Sequence, residues 1–208
     1  MIKALLLIFE PMQTWERIFR AQRSLGFILV TFLMPMILLT SVAEGYGLVS
    51  KGRWQEDLDY LRKFPRSEAL VYEVFQALLT IAVVLIAAKI LKSLGETFHG
   101  RHTMTQAFTT VAYGLSPLFL LRLLDAFPSV NHWVSWSVGV SLCVVVLYQG
   151  VPRIMMPDPP HAFGLFLMNA LLVVLITGLA RFVTSWYIVG RFKPVELVIS
   201  AIAARLPF

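Results

Sequence analysis

The sequence predicts an all-α fold: a polytopic membrane helix bundle with five transmembrane helices. Short interfacial helices are expected at the N-terminus, in the 44–73 loop and at the C-terminus. Three observations carry that reading. The first is composition: 58% of the 208 residues are hydrophobic and 14% are charged, with a mean hydropathy of +0.74. A soluble domain is about 45–50% apolar and about 25% charged. The second is a set of five apolar runs, each near the ~20 residues that cross ~30 Å of hydrocarbon. The third is the punctuation between them, in proline, glycine and basic residues. One membrane domain, 1–208, is the economical division.

Residues 1–24 read as an interfacial segment. Leu5, Leu6, Ile8 and Phe9 form an apolar stretch, Pro11 breaks it, and Trp15, Ile18 and Phe19 form a second helical face. Lys3, Arg17, Arg20 and Arg23 offer cations to lipid headgroups. No signal cleavage is expected, because the apolar core is short and Glu10-Pro11 stands where small residues are needed. The first span, 25–43, carries Met34-Pro35-Met36 and ends at the polar, glycine-rich Glu44-Gly45-Tyr46-Gly47. In the 44–73 loop Trp54, Leu58 and Leu61 recur at helical spacing among Glu56, Asp57 and Asp59. That pattern predicts a short amphipathic helix stopped by Pro65, with Ser67 and Glu68 capping the next helix. The second span is 73–94, where Lys89 and Lys92 can snorkel. A turn with His99 and His102 leads to the third span, 104–127. The fourth span, 132–150, begins at Trp133 and Trp136 and ends near Tyr148. Pro152, Pro157, Pro159 and Pro160 predict a stiff, non-helical turn. The fifth span is 161–189. An amphipathic helix over 194–207, with Val195, Val198, Ile199, Ile202 and Leu206 on one face, is too short to span the bilayer.

The third span organises the rest. It contains Gly114, Ser116-Pro117, Arg122 and Asp125, none of which lipid favours. Pro117 removes one helical N–H and predicts a kink near Gly114. In hydrocarbon the freed carbonyl needs a partner, and Ser116 can provide one. This span is therefore expected inside the bundle. Arg122 and Asp125, three apart, can pair with each other at headgroup level. Charges at this depth are also candidates for holding a partner helix or gating a cavity.

The net charge of +6 fits basic flanks beside a bilayer. No basic stripe interleaved with exposed aromatics stands apart from the spans, so nucleic acid is not expected as a partner. Cys143 is alone, so no intramolecular disulfide can form. His99 and His102 lack a carboxylate or cysteine pattern around them and make a poor metal site. Neither a zinc-binding His-Glu-x-x-His nor a Gly-x-Ser-x-Gly elbow occurs, and Walker, dinucleotide and haem-attachment motifs are missing. No catalytic, cofactor-binding or metal residues are expected, and no small-molecule substrate is indicated. The basic cluster before the first span places the N-terminus in the cytoplasm, although that orientation puts only eight of the eighteen Lys/Arg inside. Pro35 and Pro117 hint at an inverted repeat, but five spans is an odd count.

Three stretches together resemble the Yip1 domain family of small five-span membrane proteins, its prokaryotic branch in particular. Phe9-Glu10-Pro11-Met12-Gln13-Thr14-Trp15-Glu16-Arg17-Ile18 is like that branch's opening. Ala112-Tyr113-Gly114-Leu115-Ser116-Pro117 is like the family's Tyr-x-Leu-x-Pro step in span three. Tyr148-Gln149-Gly150-Val151-Pro152-Arg153-Ile154-Met155 is like its turn after span four. The resemblance implies five helices, a cytoplasmic N-terminus and no enzymatic role. Eukaryotic relatives bind small GTPases in vesicle traffic. This chain lacks their Asp-Leu-Tyr-Gly-Pro motif and long polar N-terminal region, so a GTPase partner is not expected.

The expected function is that of a non-enzymatic scaffold or accessory subunit, with other integral membrane proteins and lipid headgroups as partners and homo-oligomers allowed. The bacterial inner membrane is the expected location. Candidate packing or partner contacts are Tyr113, Gly114, Ser116, Pro117, Arg122, Asp125, Tyr148, Gly150 and Pro152. The alternative is a small transporter or channel with a cavity at the Pro35 and Pro117 kinks, lined by Thr109, Thr110, Tyr113 and Ser116.

Overall fold

The computed structural model describes residues 2–55, 60–98 and 102–190. Five helices there are long and apolar enough to cross a membrane: Leu25–Ser50, Arg66–Thr97, Met104–Ala126, His132–Met155 and Pro159–Val189. The third is the hub. It packs on the first, second and fourth spans, while the fifth packs on the second and fourth. Of its most apolar window 72% is buried, against 33–44% in the other four. The exposed apolar residues of the outer spans, such as Val30, Leu78 and Leu171, lie on the outside of the bundle, where acyl chains or other apolar helices can cover them.

The kink falls where the proline demands it. One helix ends at Gly114, Leu115 leaves helical geometry (φ −80°, ψ 0°), and the next begins at Ser116 with Pro117 at its start. The carbonyl that Pro117 cannot satisfy is that of Tyr113, four residues back, and the Ser116 hydroxyl donates to it at 2.7 Å. Pro35 is absorbed differently. The turn before it, Leu29–Leu33, widens to a π-helix, and Met34 N–H bonds back to the Leu29 carbonyl.

The first span runs past its expected end. Glu44-Gly45-Tyr46-Gly47 is helical, and the helix stops only at Ser50. The glycine there serves close approach: a Cβ at Gly47 would lie 2.5 Å from the Ala126 carbonyl oxygen. The loop helix expected around Trp54 and Leu61 is instead an antiparallel hairpin, β1 (Arg53–Gln55) and β2 (Tyr60–Arg62), pairing Arg53 with Arg62 and Trp54 with Leu61. Strand alternation sends Arg53 inward and leaves Trp54 exposed. Leu58 lies outside the described residues. The second span starts at Arg66, before the expected Ser67–Glu68 cap, and Glu68 pairs with Arg62 at 2.9 Å. Pro152 does not end the fourth span. The helix carries it as far as Met155, and the break comes at Met156, in left-handed geometry (φ 42°) ahead of Pro157. The expected helix at 194–207 lies outside the described residues, as does His99.

At the N-terminus two helices, α1 (Ile2–Phe9) and α2 (Pro11–Ala21), pack against the third and fourth spans. Trp15 is fully buried, and its indole N–H donates to the Val146 carbonyl at 3.0 Å. The ring lies over Gly150, where a Cβ would meet it at 2.4 Å. Gly150→Ala is therefore expected to destabilise the protein by about 1–3 kcal/mol. Denaturation in detergent, followed by tryptophan emission, measures this; an unchanged midpoint and spectrum would show that Trp15 is not seated there.

His102, outside the spans, is buried against Gly95. Burial pushes its imidazole below the ordinary 6.5, against the pull of Glu96. The fold disfavours its charged form, so the unfolded chain takes up the proton first as pH falls through about 6.5. Its contribution is thus complete above that pH and is lost below it. His102→Gln is expected to lower the melting temperature at pH 7.5 and to narrow the gap from the parent protein at pH 5.

Candidate functional site

Charges in an apolar span must find partners inside the protein. Near the hairpin-side end of the bundle every span contributes to such a set. The carboxylate of Glu44, from the first span, is completely buried. Its Oε1 accepts from Arg53 Nη2 at 2.7 Å and from the Tyr72 hydroxyl at 3.1 Å. Its Oε2 accepts from Arg122 Nε at 2.9 Å. Arg122 also donates from Nη2 to Glu73 at 3.2 Å. The Gln76 amide, oriented by its neighbours, accepts from Arg122 Nε and Nη2 at 2.9 Å and donates to the Tyr72 hydroxyl at 2.5 Å.

A second group adjoins the first. Asp125 accepts from the Ser135 hydroxyl at 2.7 Å and from Arg181 Nη2 at 2.6 Å, and Arg181 also reaches the His132 carbonyl at 3.0 Å. Three guanidiniums thus meet three carboxylates. Glu44, Glu73 and Arg181 lie about 9–12 Å along their helices from the hairpin-side ends, at 1.5 Å per residue. Arg53 lies outside the spans. Burial opposes its charge, but Glu44 more than offsets this and holds the guanidinium above its ordinary range.

Arg122 and Asp125 therefore do not pair with each other at headgroup level, as their spacing invited. Both are buried, at 8% and 6% exposure. Arg122 turns to the first and second spans, and Asp125 turns to the fourth and fifth. A helix in a bundle presents residues three apart to different neighbours when carboxylates and guanidiniums there compete. The remaining candidates lie elsewhere. Tyr113 stacks on Phe32 with centroids 4.2 Å apart. A Cβ at Gly114 would lie 2.4 Å from Leu147. Tyr148 and Pro152 are exposed at the opposite end of the bundle, Tyr148 edge-on to Phe166 at 5.1 Å. Glu44, Arg53, Tyr72, Glu73, Gln76, Ser135 and Arg181 were not read as site residues. The available signal was the presence of Glu73 and Arg181 inside apolar runs.

A cavity of about 80 Å³ adjoins the network, lined by Gln76, Arg122, Asp125, Thr177 and Arg181 and, from the Pro117 turn, Leu115 and Phe119. That is room for a few waters, each taking ~30 Å³. Pro35 is not in its lining. His132 Nε2 lies 3.0 Å from Ser185 Oγ. The neighbouring carboxylate, Asp125, is engaged by Ser135 and Arg181. Among the described residues no group of three or more His, Cys, Asp or Glu is placed to hold a metal.

Removing Glu44 strands the buried Arg53 guanidinium and leaves Arg122 with Glu73 as its remaining carboxylate. Glu44→Ala is expected to cost about 3–5 kcal/mol, whereas replacing a whole pair, Asp125→Leu with Arg181→Met, should cost less than the two single changes summed. Unfolding of the parent and the four variants in one detergent checks this, and simple additivity of Asp125→Leu and Arg181→Met would count against direct coupling.

The family model of the Yip1 domain matches residues 5–182. No curated protein and no solved structure matches the chain. The match covers the N-terminal helices from residue 5 onward, all but the end of the fifth span and every residue of the charge network. With five membrane-crossing helices, the third buried among the other four, this chain belongs to the Yip1 domain family and is a multi-pass integral membrane protein.

Proposed function

We propose that the protein is a non-enzymatic scaffold or accessory subunit, working through helix contacts with other integral membrane proteins. The observation that carries this reading is the charge network. It ties all five spans and the hairpin together, and each carboxylate in it is held by a cation of the same chain. Such a core serves rigidity and leaves the outer helical faces to make contacts. The fifth span offers a row at every fourth residue, Phe163, Leu167, Leu171, Leu175 and Leu179, all at least half exposed. A row at i, i+4 spacing is one continuous stripe on a helix. The N-terminal side is assigned to the cytoplasm and the hairpin to the far side of a bacterial inner membrane.

A photo-crosslinking residue at Leu171 or Leu175, in the native membrane, is expected to capture a defined membrane protein, and the same probe at buried Val173 is not. Lipid adducts alone at every outward position would remove the scaffold reading. Cys143 is fully buried, so single-cysteine labelling reports orientation cleanly. Gln13→Cys is expected to be shielded from an impermeant thiol reagent in intact cells and Ser129→Cys to react; the reverse would invert the topology. The transporter reading draws on the cavity beside the Pro117 turn, with Arg122, Asp125 and Arg181 in its lining, and solute flux in liposomes that depends on Arg181 would favour it.

A further inference from the structure

On the N-terminal side, opposite the charge network, a second cavity of about 280 Å³ opens between α1, the start of the first span and the third span. Two cations line it, Lys3 and Arg23, with Thr103, Gln106, Thr109 and Tyr113. No carboxylate lines it, and among the described residues neither cation has an ion-pair partner. This contrasts with the other end of the bundle, where the buried cations Arg53, Arg122 and Arg181 are each matched by a carboxylate. Both cations are positioned by rings: Lys3 Nζ is 5.8 Å from the centroid of Tyr113, and the Arg23 guanidinium is 4.7 Å from that of Phe27.

The remaining polar lining consists of hydrogen-bonding groups. Gln106 closes the cap of the third span with its amide oxygen, which accepts from Thr103 N–H at 2.9 Å. Its NH2 is thereby left to donate. The Tyr113 hydroxyl is a further donor at the inner end. Two positive charges, neutral donors and no acid complement a phosphoryl oxyanion. The volume is several times that of one water, so a phosphate with part of its ester fits. The helices that carry or follow the two cations also present exposed apolar residues: Ile2, Leu5 and Phe9 on α1, and Phe27 and Val30 on the first span. A soluble phosphate compound has no use for them, whereas acyl chains do.

We infer that this cavity binds the phosphate of an anionic membrane lipid, with Lys3 and Arg23 as its charge partners and the outer face of α1 against the acyl chains. The site does not depend on the scaffold role. It also differs from diffuse attraction of basic residues to a charged surface, because Arg17 and Arg20 of α2 do not line the cavity.

The test measures thermal unfolding of the full-length protein in neutral detergent, titrated with phosphatidylglycerol, with phosphatidylcholine or with inorganic phosphate. Phosphatidylglycerol alone is expected to raise the melting temperature of the parent protein. Lys3→Gln with Arg23→Gln should weaken the apparent affinity about tenfold or more. Lys3→Arg with Arg23→Lys should retain most of it, and Arg17→Gln with Arg20→Gln should leave it unchanged. The retained count of lipid by native mass spectrometry is expected to fall only in the first variant, which reads binding independently of stability. Equal loss in the Arg17/Arg20 variant, or no loss in the Lys3/Arg23 variant, would overturn the site. A shift with inorganic phosphate equal to that with phosphatidylglycerol would overturn the assignment to lipid.

Discussion

The contact between Glu44 and Arg122 is the one on which the hairpin-side half of the molecule depends. In a medium without water, a buried carboxylate must be met by a donor or become protonated. Glu44 is met by two guanidiniums, one from the third span and one from β1. That requirement explains several features at once. The first span must stay helical beyond Glu44 to hold the carboxylate at this depth. Gly47 must lack a side chain so that the helix can pass the end of the third span. The loop folds back as a hairpin, and its first strand delivers the Arg53 side chain to Glu44.

The third span is the other half of the same solution. Its break at Leu115 directs the lower segment, with Arg122 and Asp125, along a path that the upper segment would not follow. The loss of one backbone bond at Pro117 is made good within the turn by Ser116, so the kink needs nothing from lipid. The ends of the bundle then differ in kind. At the hairpin side, opposite charges neutralise each other in a buried, hydrogen-bonded set. At the N-terminal side, Trp15 seals the fourth span by packing on Gly150, and the cations Lys3 and Arg23 stand without acids. One end is closed on itself and the other is open to an anion.

Much of this was legible in the chain. The five apolar runs, the kink at Gly114 to Pro117 and the burial of the third span follow from length, hydropathy and the proline rule, which are local properties. The family resemblance rested on three stretches that include Trp15, Tyr113 and Gly150, and all three are packing points in the structure. The errors have local causes as well. Glycines beside a charge look like a helix exit, but here they serve close approach. Trp54 and Leu61 fit a helical period, yet Trp54 opposes Leu61 across two strands. Pro152 reads as a helix breaker, but a proline near the end of a helix removes a single bond and leaves the last turn intact.

By itself the sequence determined that the chain crosses a membrane five times and that its third crossing must hide from lipid. Both conclusions follow from transfer of backbone and side chains out of water, which depends on residue type and order alone. The tertiary structure decided who answers whom among the charges. Arg122 could have taken Asp125, three residues away, and instead takes Glu44, 78 residues away, and Glu73. Spacing along one helix shows only which pairs are able to meet. Which pairs form depends on where other helices place competing carboxylates and guanidiniums, and that is settled only when the five spans pack.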